Sequence, residues 1–306
     1  MIHFYEKRKL FFVCSLLIFL VGIVFIFING IQLDIEFKGG SILKYQFTGD
    51  IDVEAAADTA EETLGRSANC QISTSTDTDV KSLVINLAGN EGLSSQEQEN
   101  LDAALKAQFS DNQLELSETS IVEPFIGKQF LRNGIFAIIL SFMLIILYVW
   151  YSFRKIGGLS AGIMSLAALL HDCLIVFFVF VIFKIPFDEN YIAATLTIIG
   201  FSVNDTIVIF DRIRENMADN RKEKLPIDQL VNKSISQSLT RSINTNAAVF
   251  ISVLIVCIFS WLNGISSILA FALPMTFGVI SGCYSTICIA GPLWVMWKKR
   301  KEVKTA

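Results

Sequence analysis

Charged residues are scarce in this sequence, and most of them are clustered. Asp, Glu, Lys and Arg together make up 18% of its 306 residues, whereas 53% are hydrophobic and 25 are phenylalanines. With a mean hydropathy of +0.54, the chain is too apolar to be an ordinary soluble protein. The composition therefore predicts an integral membrane protein with several spans.

Cysteine is also nearly missing from the one long polar stretch, residues 32–126, where only Cys70 occurs. A disulfide cannot form inside that stretch, so we expect packing alone to hold its fold. The stretch also lacks a cluster of metal ligands, a nucleophile paired with a base, and a phosphate-binding loop, which argues against a catalytic domain. Its many acidic residues indicate a solvated surface, with contact to a substrate as the alternative.

Six apolar runs are long enough to cross roughly 30 Å of hydrocarbon. They lie near residues 10–31, 131–151, 159–183, 191–210, 243–262 and 268–297. The first follows a basic segment, residues 1–9. The apolar part of this first run is too long for the core of a signal peptide and no cleavage site follows, so we expect the run to remain as an anchor.

The basic residues predict the orientation. Most Lys and Arg residues lie near span ends on the side of the N-terminus, including the tail 298–306, while most acidic residues lie in 32–126. By the positive-inside rule, both termini are then cytoplasmic and 32–126 is extracytoplasmic. Residues 127–297 hold spans two to six and a cytoplasmic amphipathic segment, 212–240. Its helix after Pro226 is expected to lie along the inner membrane surface.

The polar stretch alternates strand and helix patterns. Strands are predicted at 41–47 and 82–88, where apolar and polar residues alternate, and a helix at 53–64, where apolar residues repeat at helical spacing. A second helix is predicted to start at Ser94, whose spacing to Glu97 fits a capping box. Weaker strands complete the order β-α-β-β-α-β, which predicts a ferredoxin-like α+β domain.

A pair of glycines, Gly39 and Gly40, precedes the first strand. Paired glycines allow a tight backbone turn where the chain leaves the membrane. We expect this pair to act as a hinge that couples the α+β domain to the spans.

The fourth run carries an acid in an otherwise apolar segment, where Asp205 follows Asn204. An Asp at the centre of a spanning helix costs about 2.5–3.5 kcal/mol, so one that persists faces a bundle interior, a partner or a file of water. Where the chain enters the fifth run, Arg241, Asn244 and Thr245 share one helical face, at a depth that matches that of Asp205 in the fourth run. We expect Arg241 to extend toward the Asp205 carboxylate and form an ion-translocating site with it.

A second acid, Asp172, lies in the third run beside His171. Two roles are open for it, a structural hydrogen bond between helices or a part in ion movement. His171 points about 100° away and is interpreted as a packing residue, with a relay as the alternative. The sixth run carries a stripe of small residues that predicts a packing seam: Gly278, Ser281, Gly282 and Ser285.

One span, a polar domain and five further spans resemble one half of a transporter of the RND superfamily. Four motifs are similar to those of the SecD/SecF family of protein-export membrane proteins: EFKGG at 36–40, LHD at 170–172, GFSVNDTIVIFDRIREN at 200–216 and LTRSINT at 239–245. The likeness covers nearly the whole chain. It implies a membrane α-helical bundle of six transmembrane helices, half of an RND-type transporter, with a ferredoxin-like extracytoplasmic domain.

The resemblance implies a multi-pass protein of the bacterial cell membrane that uses the proton or sodium motive force to assist preprotein translocation. It assigns ion conduction to Asp205, Arg241 and Thr245. Supporting polar side chains are expected from Asn204, Asn244 and Asp172. The transported H⁺ or Na⁺ takes the place of a cofactor, and no metal site is expected.

The resemblance also implies partners. A SecD chain would complete a twelve-helix unit, and this unit would act with the SecYEG channel on an unfolded preprotein, surrounded by membrane lipid and with YajC as a further partner. No nucleic acid partner is expected.

Other interpretations compete with this one. An intramembrane aspartyl protease would use Asp172 and Asp205, but the flanking His171 and Asn204 differ from the motifs of those enzymes, so we interpret the chain as a protein that is not an enzyme. An RND-type exporter of small molecules or lipids is a second alternative, although such pumps usually carry both halves in one chain. A passive scaffold of the translocase is a third.

Overall fold

The computed structural model describes residues 3–34, 37, 40–74, 81–88, 92–122, 124–223 and 225–305. The chain begins with an apolar helix, α1 (Arg8–Asn29), which ends at Gly30. The φ of Gly30 is 69°, a left-handed value that glycine adopts without strain. A small α+β domain (residues 40–122) comes next, and the remaining long helices follow it.

The α+β domain has the predicted order of elements. These are β1 (Gly40–Phe47), α2 (Val53–Leu64), β2 (Ala68–Thr74), β3 (Lys81–Ala88), α3 (Ser95–Gln108) and β4 (Glu115–Val122). The strand order in the sheet is β2-β3-β1-β4, and every neighbouring pair is antiparallel. This is the ferredoxin-like arrangement, so the predicted fold of the domain is confirmed.

The core of the α+β domain is apolar. Leu43 and Tyr45 of β1, Ile85 of β3 and Leu101 of α3 are fully buried in one cluster. Successive strand side chains point to opposite faces of a sheet, so the alternation in the sequence directs these residues toward the helices. Cys70 on β2 joins the cluster as a free thiol, and burial raises its pKa to about 12.

The predicted capping box is present at the start of α3. Ser94 Oγ accepts a hydrogen bond from the N–H of Glu97 at 3.3 Å, and the Glu97 carboxylate accepts one from the N–H of Ser94 at 2.9 Å. The N–H and the hydroxyl of Ser94 both donate to the Glu97 carboxylate, and these two hydrogen bonds lower the pKa of Glu97. The local sequence therefore determines where this helix begins.

The membrane part follows in five longer helices and a shorter one. They are α4 (Pro124–Ser152), α5 (Gly158–Ile182), α6 (Glu189–Glu223), α7 (Ile227–Leu262) and α8 (Ser266–Ser285), which a π-helical turn (Thr286–Ala290) joins to α9 (Gly291–Thr305). Counting α8, the turn and α9 as one, six helices in the described ranges are long and apolar enough to cross a membrane. The predicted six-helix bundle is confirmed, and its most buried members are α5, α6 and the last span.

Two of these helices continue beyond their apolar parts and pack against each other. The Asn216 side chain of α6 donates to Ser234 Oγ of α7 at 2.8 Å, and Val231 and Ile235 of α7 are buried. The sequence predicts that the helix after Pro226 lies along the membrane surface. The structure instead joins this segment to the fifth span as a single helix, because its apolar face packs against other helices of the bundle.

The segment after α1 is tied to the bundle. The N–H of Asp34 donates to the carbonyl oxygen of Phe187 at 3.0 Å, and the N–H of Phe187 donates to that of Gln32 at 2.7 Å. Phe37 is 2% exposed and stacks on Phe130 of α4, with ring centroids 5.9 Å apart. These contacts fix the position at which the chain enters the α+β domain.

The predicted glycine hinge is only partly within the described ranges. Gly40 opens β1 with φ 150° and pairs with Ala88 and Val122. Gly39 lies outside the described residues. A hinge at this pair stays a prediction.

Candidate functional site

Asp205 lies inside the bundle, where α6 faces α7. It is 7% exposed. Ser242 Oγ donates to its Oδ1 at 2.6 Å, and Asn246 Nδ2 donates to its Oδ2 at 3.2 Å. Ser242 and Asn246 are four residues apart and occupy one face of α7. One hydroxyl and one amide therefore hold this carboxylate between two helices.

The fifth-span residues that the sequence predicts to meet Asp205 are directed elsewhere. Arg241, Asn244 and Thr245 are exposed on α7. Within the described part of the chain, no hydrogen bond or ion pair joins them to Asp205, although Arg241 is near enough for its charge to attract the carboxylate. The observed partners each stand one position later in the sequence, about 100° round the helix.

The exposed residues form a polar face on the outside of this chain. We define it by Asn204 of α6 together with Arg241, Asn244 and Thr245 of α7, all of which are exposed. Such a face is unfavourable in contact with lipid tails, which cannot form hydrogen bonds. A protein partner or a water-filled path beside this face removes that cost.

Asp172 is the more completely enclosed of the two acids, with 0% exposure on α5. Ser202 and Ser285 donate to its Oδ2 at 2.7 Å each, and Ser281 donates to its Oδ1 at 2.5 Å. His171 Nδ1 lies 3.2 Å from Oδ1. Four side chains from three helices thus converge on one carboxylate.

The sixth-span stripe has two functions, of which the sequence interpretation found one. A Cβ on Gly278 would lie 2.6 Å from Ile198, and one on Gly282 would lie 3.2 Å from Ser202, so the glycines allow close packing as predicted. The two serines of the stripe are hydrogen-bond donors to Asp172 instead. The sequence offered a signal for this second function, because a buried acid in the third span requires hydrogen-bond donors from neighbouring helices.

The two acids are connected through α6. Ser202, which donates to Asp172, stands three residues before Asp205. At about 1.5 Å per residue, the two positions are about 4.5 Å apart along the helix axis. A change at either carboxylate therefore acts on the same turn of α6.

The donor sets limit the chemistry of both sites. In the described ranges, no group of three or more His, Cys, Asp and Glu side chains could hold a metal ion. Asp205 has donors that suit an ionised carboxylate, and the Oδ1 of Asn246 is buried with no partner in those ranges. An amide can both donate and accept, so Asn246 can also accept a hydrogen bond from a protonated carboxyl group. The Asp205 site can therefore exist in two protonation states.

Sequence comparison identifies the family of the chain. Residues 102–300 match the family described as protein export membrane protein SecD/SecF, C-terminal. The protein translocase subunit SecF of Thermobaculum terrenum is 35% identical over 98% of this chain and 95% of the relative. The protein translocase subunit SecDF of Bacillus subtilis is 33% identical over 98% of this chain, but the match covers 39% of that longer relative.

A solved structure agrees with the family found by sequence comparison. The crystal structure of SecDF from Thermus thermophilus, described as a translocon-associated membrane protein, superposes on 98% of this chain with a TM-score of 0.80 and 29% identity. This chain spans 39% of the length of that protein. The family match and the full-length SecF relative show that this chain belongs to the SecD/SecF family of protein export membrane proteins, as a translocase subunit that assists protein export and is not an enzyme.

Proposed function

We propose that this chain uses a proton or sodium gradient to assist preprotein export, and that Asp205 is its ion-binding group. The observation that carries the proposal is the position of Asp205 between α6 and α7, where its hydrogen-bond donors in the described ranges are Ser242 and Asn246. A transmembrane potential of 100 mV supplies about 2.3 kcal/mol per charge, which is close to the cost of placing an Asp in a span. Ion binding at this carboxylate is therefore energetically feasible.

The two protonation states need different hydrogen bonds. The ionised carboxylate accepts from Ser242 and Asn246, and the nearby Arg241 offsets its charge. A protonated carboxyl group must donate instead, and Asn246 Oδ1, on the amide that contacts Asp205, is a buried acceptor without a partner in the described ranges. The switch reorients groups that join α6 to α7. Ion binding would thereby alter the packing of these two helices.

Arg241 and Thr245 are proposed to line the ion path on the polar face, together with Asn204 and Asn244. Their exposure supports this placement, since a path for ions needs polar groups that meet water. We propose that a SecD chain covers this face. The SecDF relatives, in which a SecD part and a SecF part form one chain, support an association of this chain with SecD within the Sec translocase.

The remaining partners and the topology belong to the same proposal. The chain would act with SecD on the SecYEG channel and an unfolded preprotein, with YajC as a further partner. Both termini would be cytoplasmic and the α+β domain extracytoplasmic, in agreement with the basic residues near span ends on one side. Ion-driven changes in α6 would move the α+β domain through the contacts at Phe187.

The test is preprotein export into vesicles that contain the channel and the SecD complex. We expect Asp205→Asn to assemble normally but to lose the stimulation that an imposed pH or sodium gradient gives to the wild type. Asp219→Asn, at an exposed position farther along α6, is the matched control and should retain it. Full stimulation with Asp205→Asn would contradict the proposal. Imposing each gradient separately identifies the ion.

A further inference from the structure

A second titratable pair lies apart from Asp205. His171 and Asp172 are both buried, at 6% and 0% exposure, and are adjacent on α5. No described Lys or Arg side chain forms a hydrogen bond or ion pair with Asp172. The imidazole is therefore the group that can supply a compensating positive charge.

The donor set around Asp172 indicates its charge. Three serine hydroxyls and the His171 ring nitrogen surround its two oxygens, at distances from 2.5 to 3.2 Å. An ionised carboxylate only accepts hydrogen bonds, and four donors suit it. The Nδ1 atom of His171 then carries a hydrogen, because it lies against an acceptor.

The other ring nitrogen has no such partner. His171 Nε2 is buried and makes no hydrogen bond within the described ranges. The ring lies between Phe19 and Tyr284, with centroids 5.1 and 5.7 Å away, and borders an apolar groove of about 680 Å³ between α1, α5 and α8. The Tyr284 hydroxyl is engaged elsewhere, since it donates to the carbonyl oxygen of Phe11 at 2.6 Å.

Each protonation state of the pair leaves one group unsatisfied. With His171 neutral, the negative charge of Asp172 has hydrogen bonds but no opposite charge beside it. With a proton added to Nε2, the charges balance, but an N–H then faces the apolar groove without an acceptor. Among the described residues, Cys14 on α1 and Tyr284 on α8 line the same groove as His171, and Cys173 on α5 lies close to Asp172. Cys283 on α8 lies close to Asp205 on α6 and to Cys288 in the π-helical turn.

We propose that His171 and Asp172 form a second proton-binding site, in which Nε2 of His171 gains and loses the proton while Asp172 stays ionised. A proton bound at Nε2 favours a conformation in which the groove between α1 and α8 supplies an acceptor. Asp172 transmits this change, since its serine donors stand on α6 and α8. Ser202 is one of these donors and lies on α6, so a change at Asp172 also alters a hydrogen bond of the helix that carries Asp205. The coupling of this site to export rests on the proposed function, whereas its titration does not.

The site can be observed directly, because the chain has only two histidines, His3 and His171. A His3→Gln chain, labelled with ¹⁵N-histidine and assembled with its SecD partner in bilayers, gives imidazole signals from one residue. We expect a hydrogen on Nδ1 at high pH and a second, reversible protonation at Nε2 on acidification from pH 9 to pH 5. A ring that keeps one protonation state across this range would overturn the proposal.

Three variants locate the effect. Asp172→Asn should remove the fixed preference for hydrogen on Nδ1, whereas Asp205→Asn should leave the protonation of His171 reversible. His171→Gln keeps a side-chain N–H for Asp172 but cannot take up a proton, so it should lose the stimulation of export by a pH gradient while still assembling. His3→Gln is the matched control and should retain it.

The outcomes separate the two proposals. If His171→Gln exports with full stimulation by a pH gradient, the second site has no part in coupling and that part of the inference fails, even when Asp205→Asn is inactive. If Asp205→Asn keeps full stimulation while His171 titrates reversibly, the proposed role of Asp205 fails and the second site stands.

Discussion

The N–H of Phe187 donates to the carbonyl oxygen of Gln32 at 2.7 Å, which joins the segment before α6 to the segment after α1. Leu33 and Phe187 also pair as a short parallel bridge. The Phe187 ring packs against Tyr191 at the start of α6, with centroids 4.9 Å apart. A movement of α6 can therefore be transmitted to residues 32–34, the segment that precedes the α+β domain.

Phe187→Ala should weaken this connection. Removing a buried aromatic ring costs about 3–5 kcal/mol, and this ring packs against Phe180 of α5 and Tyr191 of α6. Its loss loosens the position of the backbone that hydrogen-bonds to the segment after α1. We expect a lower melting temperature and a broader distribution of distances between spin labels placed on the α+β domain and on α5. The control is Phe183→Ala, at a site 50% exposed. Equal melting temperatures and distance distributions for the two variants would show that Phe187 is not the connection.

Asn246→Leu should impair ion coupling as strongly as a change at Asp205. Leucine has a similar size but neither donates nor accepts, so both protonation states of Asp205 lose a partner. A hydrogen bond to a charged group contributes about 1.5–3 kcal/mol, which corresponds to a tenfold or larger loss of gradient-driven export. Ser252→Ala, on the exposed side of α7, should have no effect. The prediction is wrong if both variants respond equally to the gradient.

The capping box of α3 should make the α+β domain sensitive to acid. The folded pKa of Glu97 lies below its ordinary value of 4.5, because Ser94 donates to the carboxylate. Its contribution is therefore complete above about pH 4.5 and is lost as the pH falls through the folded pKa. Hydrogen exchange of α3 amides, corrected for the intrinsic effect of pH, should show this loss in the wild type and not in Glu97→Gln.

Glu99→Gln is the matched control, since Glu99 lies two residues farther along α3, outside the capping box. It should keep the acid dependence of the wild type. If Glu97→Gln and the wild type show the same acid dependence, Glu97 does not stabilise the start of the helix.

Much of the fold could be predicted because it depends on local patterns. Hydropathy located six spans, since a helix needs about 20 apolar residues to cross hydrocarbon. Alternation and helical spacing located the elements of the α+β domain, and the spacing of Ser94 and Glu97 located a helix start. The join between the segment 212–240 and the fifth span was not predicted. Pro226 indicated where that helix begins, but not that it continues without a break to Leu262.

The sequence by itself determined that Asp205 and Asp172 lie in apolar spans and so need partners. Only the tertiary structure decided which partners they have. The fifth span carries polar residues at five of the six positions from Arg241 to Asn246, so composition alone could not choose between two faces about 100° apart. Packing of α7 against α6 turned Ser242 and Asn246 inward and left Arg241 and Thr245 exposed. Helix rotation is set by the fit of side chains between helices, which no local pattern records.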